Sequence, residues 1–234
     1  MVGLPRAHFR VTDSTNERAK ALADAGAPHG TLVTADEQTV GHGRQGRSWS
    51  APPGASILMS LLLRDLDPVH ALLPLAAAVA VCETCECEGS VLGRCAIKWP
   101  NDVWIDRRKA AGILVEGRPQ EGWAVVGIGL NVNVRPEDFP PELRKTATSL
   151  AIASDRELAL EPLLRALLRR LDSLLGQTEQ AILAAWRERD ALRGERVRWA
   201  GGEGTAAGVD DAGALLVETD TGTQRLDAGE VHLR

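Results

Sequence analysis

The chain has 234 residues, 44% hydrophobic and 25% charged, with a formal net charge of −5 at pH 7. A chain of this length buries enough surface for one substantial core and a small second domain, and its acidic balance argues against a nucleic-acid-binding protein, which needs a basic face. The longest apolar stretch, Leu72 to Val81, is too short to span a bilayer, and residues 1–9 lack the layout of a signal peptide, so we expect a cytoplasmic protein that does not bind membranes.

The first part of the chain alternates helical and strand patterns. Ser14 and Glu17 have the spacing of a capping box, which predicts a helix start, with Gly26 as its end. The glycine-rich, cationic segment 38–54 predicts a long loop, and such loops in compact domains are usually functional or mobile. Hydrophobic periodicity predicts the other elements, which are strands at 31–35, 57–63, 96–99, 103–105, 112–116 and 123–134 and helices at 70–87, 158–175 and 179–192.

The sequence changes character after Gly194, where short β segments follow one another. Glycine-containing turns separate five of them, which are 195–200, 205–209, 214–218, 223–227 and 231–233. Closely spaced short strands of this kind are typical of a small barrel. We therefore place a domain boundary near residue 193.

Four cysteines fall within fourteen positions, at 82, 85, 87 and 95. Cys82 and Cys85 have CxxC spacing, which can indicate a metal site, but no second CxxC or paired histidines complete a tetrahedral set. Both positions lie on one face of the predicted helix with Val79, so we favour packing in the core.

The loop segment Gly41 to Trp49 reads GHGRQGRSW. Its glycines let the backbone approach a ligand closely, and Arg44 and Arg47 offer planar cations suited to carboxylate or phosphate. Trp49 offers a flat face for a base. Alone, the segment could also be a solvated basic loop, and it is not a Walker A loop, because no Gly-Lys-Ser/Thr follows.

A second stretch, KWPNDVWIDRRKAAGILVEG, covers residues 98–117. Lys98 and Lys109 bracket a turn that carries Asn101 and Asp102, an arrangement suited to a phosphorylated substrate. The alternative is a hairpin with exposed charges, although Lys98 lies between apolar residues within a strand. We interpret the two arginines of the turn, 107 and 108, as solvated charges.

The third stretch is GIGLNVN at 127–133. Alternating glycines remove side chains from one face of a strand, which leaves room for a flat ligand, and Asn131 could then contact an adenine edge. Close packing against another strand would explain the same glycines.

Taken in chain order, with Asp13-Ser14-Thr15-Asn16 upstream, the three stretches resemble the catalytic domain of the biotin–protein ligases. The resemblance runs over residues 13–150, and residues 208–231 are similar to that family's small C-terminal barrel. KWPND with its downstream KxxGILxE is the most specific element. The resemblance implies an α/β fold of the α+β type, a mixed β-sheet backed by helices over 1–193, followed by a small SH3-like β-barrel over 194–234.

The resemblance also implies which residues bind the substrates biotin and ATP. These are Ser14, Thr15, Asn16, Gln38, Gly41, His42, Gly43, Arg44, Arg47, Trp49, Lys109, Gly112 and Asn131. The first four match the biotin pocket, and the segment 41–44 matches the loop that folds over biotin and its activated carboxylate. Positions 47 and 49 match residues near phosphate and adenine, and position 131 matches an asparagine on the adenine side.

Three residues are expected to be catalytic. Lys109 matches the lysine that contacts the reacting carboxylate and the α-phosphate, and Arg44 would stabilise the same charge. Asp102 is a candidate for orienting or deprotonating the incoming lysine. His42 departs from the family pattern, which commonly has arginine there, and a neutral histidine supplies less positive field. We assign no protein residue as a metal ligand.

The implied reaction has two steps, in which biotin and ATP give biotinyl-5′-AMP with the help of Mg²⁺, and a lysine of a biotin carboxyl carrier protein then accepts biotin. A lipoate–protein ligase is an alternative, but its glycine run and histidine motif are absent. A non-catalytic biotin-binding module would not need the cationic loop and the lysine strand. Only twelve residues precede Asp13, too few for the DNA-binding domain of the family's repressors, so we expect no specific DNA binding. The resemblance allows a homodimer and leaves the oligomeric state open.

Overall fold

The computed structural model describes residues 2–65 and 72–233. The larger sheet and its helices comprise β1 Arg6–Thr12, α1 Thr15–Asp24, β2 Leu32–Gln38, β3 Ser56–Arg64, α2 Leu73–Glu88, β4 Cys95–Lys98, β5 Asp102–Ile105, β6 Arg108–Arg118, β7 Trp123–Asn131, α3 Leu150–Ser154, α4 Leu160–Leu175 and α5 Glu179–Arg187. The smaller sheet comprises β8 Arg196–Trp199, β9 Gly202–Val209, β10 Leu215–Thr219, β11 Gly222–Leu226 and β12 His232–Leu233.

The larger sheet has seven strands in the order β1-β2-β3-β7-β6-β5-β4. β1 and β2 run parallel, whereas the other neighbours are antiparallel, so the predicted mixed sheet is confirmed. β3 is buried along nearly its whole length because both faces of the sheet are covered at its centre. This explains its continuous apolar sequence, which does not alternate as a half-exposed strand would.

Helix α2 covers one face of the sheet, α4 and α5 pack against α2, and the three helices form the main core with the sheet. α2 is apolar nearly all round because it packs on the sheet on one side and on α4 and α5 on the other. Cys82 and Cys85 share its buried surface with Val79, as predicted, and burial contributes to raising the pKa of both thiols. The predicted start of this helix, at residue 70, lies outside the described residues.

Helix α1 packs on the opposite face, against β2, β3 and β7. It begins where Ser14 and Glu17 predict, but the capping box itself is wrong. The Ser14 side chain makes no cap hydrogen bond, and the Glu17 carboxylate instead pairs with Lys20 at 2.7 Å and contacts His42 at 3.3 Å. A charged partner outcompetes the neutral backbone N–H because charge-assisted contacts are stronger.

Helix α5 ends at Arg187 rather than at residue 192 as predicted. The chain beyond it turns along β4, where Ile97 donates to the Arg189 carbonyl at 2.7 Å and Ala191 donates to the Ile97 carbonyl at 3.0 Å. Residues 189–191 therefore cover the β4 edge of the sheet, which would otherwise present unpaired backbone groups. Strand β1 and helix α3 were not predicted.

The smaller sheet is fully antiparallel, in the order β11-β10-β9-β8-β12. Its strands match the five predicted segments to within a few residues. A hydrogen bond links it to the first part of the chain, in which the indole N–H of Trp99 donates to the Gly213 carbonyl at 3.0 Å. Among the described residues, no helix combines the length and the apolar character that crossing a membrane requires.

Candidate active site

Most of the predicted site residues lie on the face of the large sheet on which α1 packs, on the part of that face that α1 leaves uncovered. Residues directly opposite each other on neighbouring strands share a face. The strand register places Lys98 opposite Asp102, Asp102 opposite Gly112, and Gly112 opposite Gly129. One transverse row thus crosses four strands, from β4 at the edge to β7 at the centre.

The start of α1 forms a buried polar cluster at one end of this face. Gln38 accepts hydrogen bonds from the Thr15 backbone N–H at 2.7 Å and from the Thr15 hydroxyl at 3.0 Å. Asn16 donates to Glu116 at 2.7 Å and accepts from Ser60 at 2.5 Å. The network fixes the orientation of each polar group before any ligand arrives, because each position depends on its neighbours.

Ser60 belongs to this cluster although it was not predicted as a site residue. It is fully buried, and its hydroxyl oxygen also lies 2.8 Å from that of Thr15. The available signal was that Ser60 is the sole polar side chain in the apolar run 57–63. A buried hydroxyl in a core strand needs hydrogen-bond partners, and here the partners are Thr15 and Asn16 of the cluster.

The two glycines of β7 make room for side chains of the protein. A Cβ at Gly127 would collide with Oδ1 of Asn16, and a Cβ at Gly129 would lie 2.5 Å from Cε2 of Trp49. The prediction of free space for a flat ligand therefore needs correction, because Asn16 and the Trp49 ring occupy the space directly above these glycines. Any flat ligand on this face has to contact those two side chains.

The loop 41–49 folds as a tight hairpin. Trp49 donates to the Gly41 carbonyl at 2.8 Å and Gly43 donates to the Arg47 carbonyl at 2.7 Å, while Gln45 and Gly46 turn the chain at positive φ. A Cβ at Gly41 would lie 2.5 Å from the Trp49 carbonyl oxygen, so the first position of the loop requires glycine.

His42 points away from the other loop cations. Its ring nitrogens lie 2.8 Å from the Val40 carbonyl and 3.3 Å from the Glu17 carboxylate. Glu17, His42 and Glu116 are the one group among residues 2–65 and 72–233 whose ligand atoms are close enough together to hold a metal ion. The Lys20 ammonium lies 2.7 Å from Glu17 and 3.0 Å from Glu116, so a cation of the protein already pairs with both carboxylates.

Positive charge concentrates at the other end of the face. The Lys109 ammonium lies 2.7 Å from the Asp102 carboxylate and 5.7 Å from the centroid of the Trp49 ring. Arg44 is half-buried, with contacts of 3.4 Å to the Asn101 side chain and to the Gly229 carbonyl. Desolvation lowers the pKa of this guanidinium. Both of its contacts are long, so Arg44 is free to exchange them for an anion.

Arg47 is held by the C-terminal sheet through an ion pair with Glu230. Its side chain is 57% exposed, so this pair is screened and easily exchanged. Glu230 was not predicted as part of the site. No sequence signal could identify it, because a glutamate near the chain end becomes relevant only once the two sheets are placed together.

Unpaired polar atoms mark the surroundings of Asn131. Asn131 donates to the Thr148 carbonyl at 3.1 Å and lies opposite Ser56 on β3. The hydroxyls of Ser56 and Thr148 and the indole N–H of Trp49 are buried without a hydrogen-bond partner among the described residues. Buried polar groups are rarely left unpaired, so these three groups need hydrogen-bond partners that the described residues do not supply.

Two family models match this chain. The biotin/lipoate A/B protein ligase family matches residues 8–133, and the biotin protein ligase C-terminal domain matches residues 194–234. The bifunctional ligase/repressor BirA of Bacillus subtilis is 37% identical over 95% of this chain and 72% of its own length. The biotin–[acetyl-CoA-carboxylase] ligase of Mycobacterium tuberculosis is 37% identical over 95% of this chain and 87% of its own.

The fold agrees with these relatives. The biotin protein ligase from Aquifex aeolicus in complex with biotin and ATP superposes with a TM-score of 0.85 at 29% identity, covering 99% of each chain. The predicted α/β fold with a mixed sheet backed by helices is confirmed. The chain belongs to the biotin/lipoate A/B protein ligase family.

Proposed function

We propose that the site performs two half-reactions on one sheet face, which make the chain a biotin–protein ligase. It activates biotin with ATP to biotinyl-5′-AMP and transfers the biotinyl group to a lysine of a carrier protein. The observation that carries the proposal is that one face of β6 and β7 carries both ends of the site, with Asn16 of the polar cluster against Gly127 and Lys109 of the cationic end against Gly112. One end suits a neutral polar ring and the other suits a carboxylate next to phosphates.

The ureido ring of biotin would bind at the start of α1. Thr15, Asn16 and Gln38 present amide and hydroxyl groups that are already held in place, with Ser60 beneath them and Ser14 beside them. Such preorganisation reduces the entropy lost on binding. The valeryl chain would then run across the sheet and bring its carboxylate to the cationic end.

Adenylation forms a bond between a biotin carboxylate oxygen and the α-phosphorus, and it breaks the bond from that phosphorus to the oxygen leading to the β-phosphate. Pyrophosphate leaves with the bonding electrons. Lys109 and Arg44 stabilise the negative charge that builds on the α-phosphoryl oxygens, and losing one such donor typically costs about 10²–10³ in rate. The adenine would stack on Trp49, with its polar edge directed to Asn131 and the unpaired hydroxyls beside it.

The second half-reaction needs a neutral amine. The carrier lysine arrives as an ammonium ion, gives up a proton, and attacks the acyl carbon of the mixed anhydride, and AMP leaves. Asp102 is a suitable proton acceptor or orienting group because its carboxylate lies on the row that crosses the face, 2.7 Å from Lys109. The loop 41–49 would cover the intermediate until the carrier arrives and so protect it from water.

Magnesium fits this scheme as the counterion of ATP. The two carboxylates nearest to the cationic end, Asp102 and Glu230, are each paired with a cation of the protein. Mg²⁺ in nucleotide sites is commonly held by the substrate phosphates with one or two carboxylates. We therefore treat magnesium–ATP as the substrate rather than assign a resident ion.

The acceptor we propose is a biotin carboxyl carrier protein, because relatives are named biotin–[acetyl-CoA-carboxylase] ligases. We also propose that the protein is cytoplasmic. The net charge of −5 supports the further proposal that it does not bind DNA specifically. A homodimer is compatible with these features and can be tested by analytical ultracentrifugation.

The decisive experiment measures pyrophosphate release from magnesium–ATP without a carrier. We expect release with biotin and none with lipoate. Release with lipoate alone would identify a lipoate ligase, whereas tight biotin binding without release would identify a binding module.

A further inference from the structure

Three thiols meet in the core, on the face of the large sheet opposite the candidate site. Cys82 and Cys85 lie three residues apart on α2, so they share one face of the helix. Cys95 is the first residue of β4, the edge strand on which α2 packs. All three are free and buried in the main core, and the Cys95 thiol forms hydrogen bonds with both α2 thiols. The helix and the edge strand therefore meet through their sulfur atoms.

The surroundings of Cys95 favour its thiolate form. The thiols of Cys82 and Cys85 donate hydrogen bonds to its sulfur, and these bonds hold the pKa of Cys95 below its usual range. The guanidinium groups of Arg189 and Arg94 lower this pKa further. The thiolate is the nucleophilic form of cysteine, and neighbouring cations promote it. Cys95 is therefore the reactive member of the three.

Arg189 supplies a buried positive charge next to these thiols. Its guanidinium donates to the Glu86 carboxylate at 3.2 Å and to the Ala185 carbonyl at 3.1 Å. The remaining Nε–H of Arg189 is buried and has no hydrogen-bond partner among the described residues. A buried cation with an unpaired donor is costly, and a negatively charged sulfur nearby reduces that cost.

Neither core packing nor a metal site explains this arrangement. A neutral cysteine packs as a small hydrophobic residue, so packing alone requires no guanidinium beside the thiols and no third thiol bonded to the other two. Among residues 2–65 and 72–233, the one group close enough together to hold a metal ion is Glu17, His42 and Glu116, so the three sulfur atoms are not all within reach of one ion. The remaining chemistry is the pairing of two sulfur atoms.

We infer that Cys95 is a redox-active thiol, which a hydroperoxide oxidises and which then forms a disulfide with Cys82 or Cys85. The Cys95 thiolate attacks one peroxide oxygen, the O–O bond breaks, and the released hydroxide takes up the proton that Cys95 lost. Cys95 is now a sulfenic acid. The sulfur of the α2 cysteine attacks the Cys95 sulfur, the S–O bond breaks, and the hydroxyl leaves as water with the proton of the attacking thiol. Two thiols are oxidised, and hydrogen peroxide is reduced to two molecules of water.

The position of Cys95 suits such a reaction. Its residue is 8% exposed at the sheet edge, which leaves a small oxidant a route to the sulfur. Disulfides in reducing compartments are usually transient and redox-sensing. The new bond would join α2 to β4, which leads into the turn with Asn101 and Asp102, so oxidation would restrain this edge of the sheet. The inference does not depend on the proposed function.

The test treats the reduced full chain with limiting hydrogen peroxide, blocks the remaining thiols with N-ethylmaleimide, and maps every cysteine by mass spectrometry. Cys87 is the internal control, because it is exposed on α2 and lies outside the buried cluster. We expect the protein to lose two hydrogen atoms in mass, with Cys95 linked to Cys82 or Cys85, and to recover its mass with dithiothreitol. Cys87 should react at least about tenfold more slowly, because an ordinary thiol is only a few per cent thiolate at pH 7.

Two variants identify the order of events. Cys95→Ala should abolish the disulfide, whereas Cys87→Ala should form it as the wild type does. In the double variant Cys82→Ala/Cys85→Ala, Cys95 should remain a sulfenic acid that dimedone traps. Mapping of the wild type tests the inference even where a core variant fails to fold.

Oxidation of Cys87 in the wild type while Cys95 stays reduced would overturn the inference, because exposure alone would then decide which thiol reacts. Addition of oxygen to Cys95 without a disulfide would also refute it, since the α2 thiols would then not lie within reach of its sulfur.

Discussion

Alanine substitutions at the two β7 glycines should separate the two ends of the site. Gly127 and Gly129 lie on the same face of one strand, but a Cβ meets a different side chain at each position. At 129 it would lie 2.5 Å from Trp49, and at 127 it would collide with Asn16. Gly129→Ala therefore perturbs the proposed ATP end, and Gly127→Ala perturbs the proposed biotin end.

The sizes of the two effects follow from how firmly each neighbour is held. Trp49 is a half-buried loop residue whose indole N–H has no partner among the described residues, so its ring can shift at little cost to the fold. We expect Gly129→Ala to weaken ATP binding by roughly tenfold, which corresponds to about 1.4 kcal/mol, with almost no change in melting temperature.

Asn16 has no such freedom, because it is buried and bonded to Ser60 and Glu116. Forcing an extra methyl group into a packed site costs about 1–3 kcal/mol. We expect Gly127→Ala to lower biotin affinity by a similar free energy, roughly 5- to 150-fold, and to lower the melting temperature by a few degrees.

Isothermal titration measures both ligands, with α,β-methylene-ATP added in the presence of saturating biotin to avoid turnover. Gly176→Ala is the control, because a Cβ there would meet nothing closer than 3.7 Å and the residue follows α4, away from the site. The reasoning is refuted if Gly129→Ala weakens biotin and spares the ATP analogue, or if both variants affect the same ligand alone.

Three further outcomes are expected. Lys109→Ala should slow single-turnover adenylation by at least about a hundredfold with an unchanged circular dichroism spectrum, because the side chain serves charge and not packing; an unchanged rate would make Lys109 only a partner of Asp102. Arg44→Gly should release biotinyl-5′-AMP, which then biotinylates a bystander protein such as serum albumin. The release rate should rise about thirtyfold if one contact of about 2 kcal/mol is lost from the bound intermediate, and His42→Gly should cause less labelling because His42 faces Glu17. Equal labelling by Arg44→Gly and the wild type would show that Arg44 does not retain the intermediate. Residues 41–49 should become protected from limited proteolysis when biotin and ATP are added together, and equal cleavage with and without ligands would exclude a closing lid.

Hydrophobic pattern predicted the elements that lie at the centre of the fold. The apolar run 57–63 gave β3 to within one residue at each end, because a strand covered on both faces is apolar throughout. β1 has the sequence RAHFRVT and lies at the sheet edge with most side chains exposed, so it lacks this signal. Its strand conformation depends on parallel pairing with β2, a long-range contact that local pattern does not contain.

Residue types predicted the chemistry of the site better than they predicted the geometry of the site. The glycine pattern at 127–129 correctly indicated a place where side chains are excluded, but it could not show whether a ligand or the protein fills the space. That depends on where the start of α1 and the loop 41–49 come to lie. The same limit applies to Lys98, because only the structure shows that Asp102, which lies opposite Lys98 in the strand register, pairs with Lys109 instead.

The composition change near residue 193 suggests two independent units, yet the contacts between them involve the site itself. Gly229 and Glu230, in the turn before β12, contact Arg44 and Arg47 in the loop. The same two arginines are the residues proposed to meet the activated carboxylate and the phosphates. Substrate anions would therefore compete with the C-terminal sheet for these guanidinium groups, and binding of ATP would exchange contacts between the two parts of the chain for contacts with the nucleotide. A domain boundary predicted from composition cannot reveal these contacts, because it marks where the sequence changes character and not which side chains from the two parts contact each other in the folded protein.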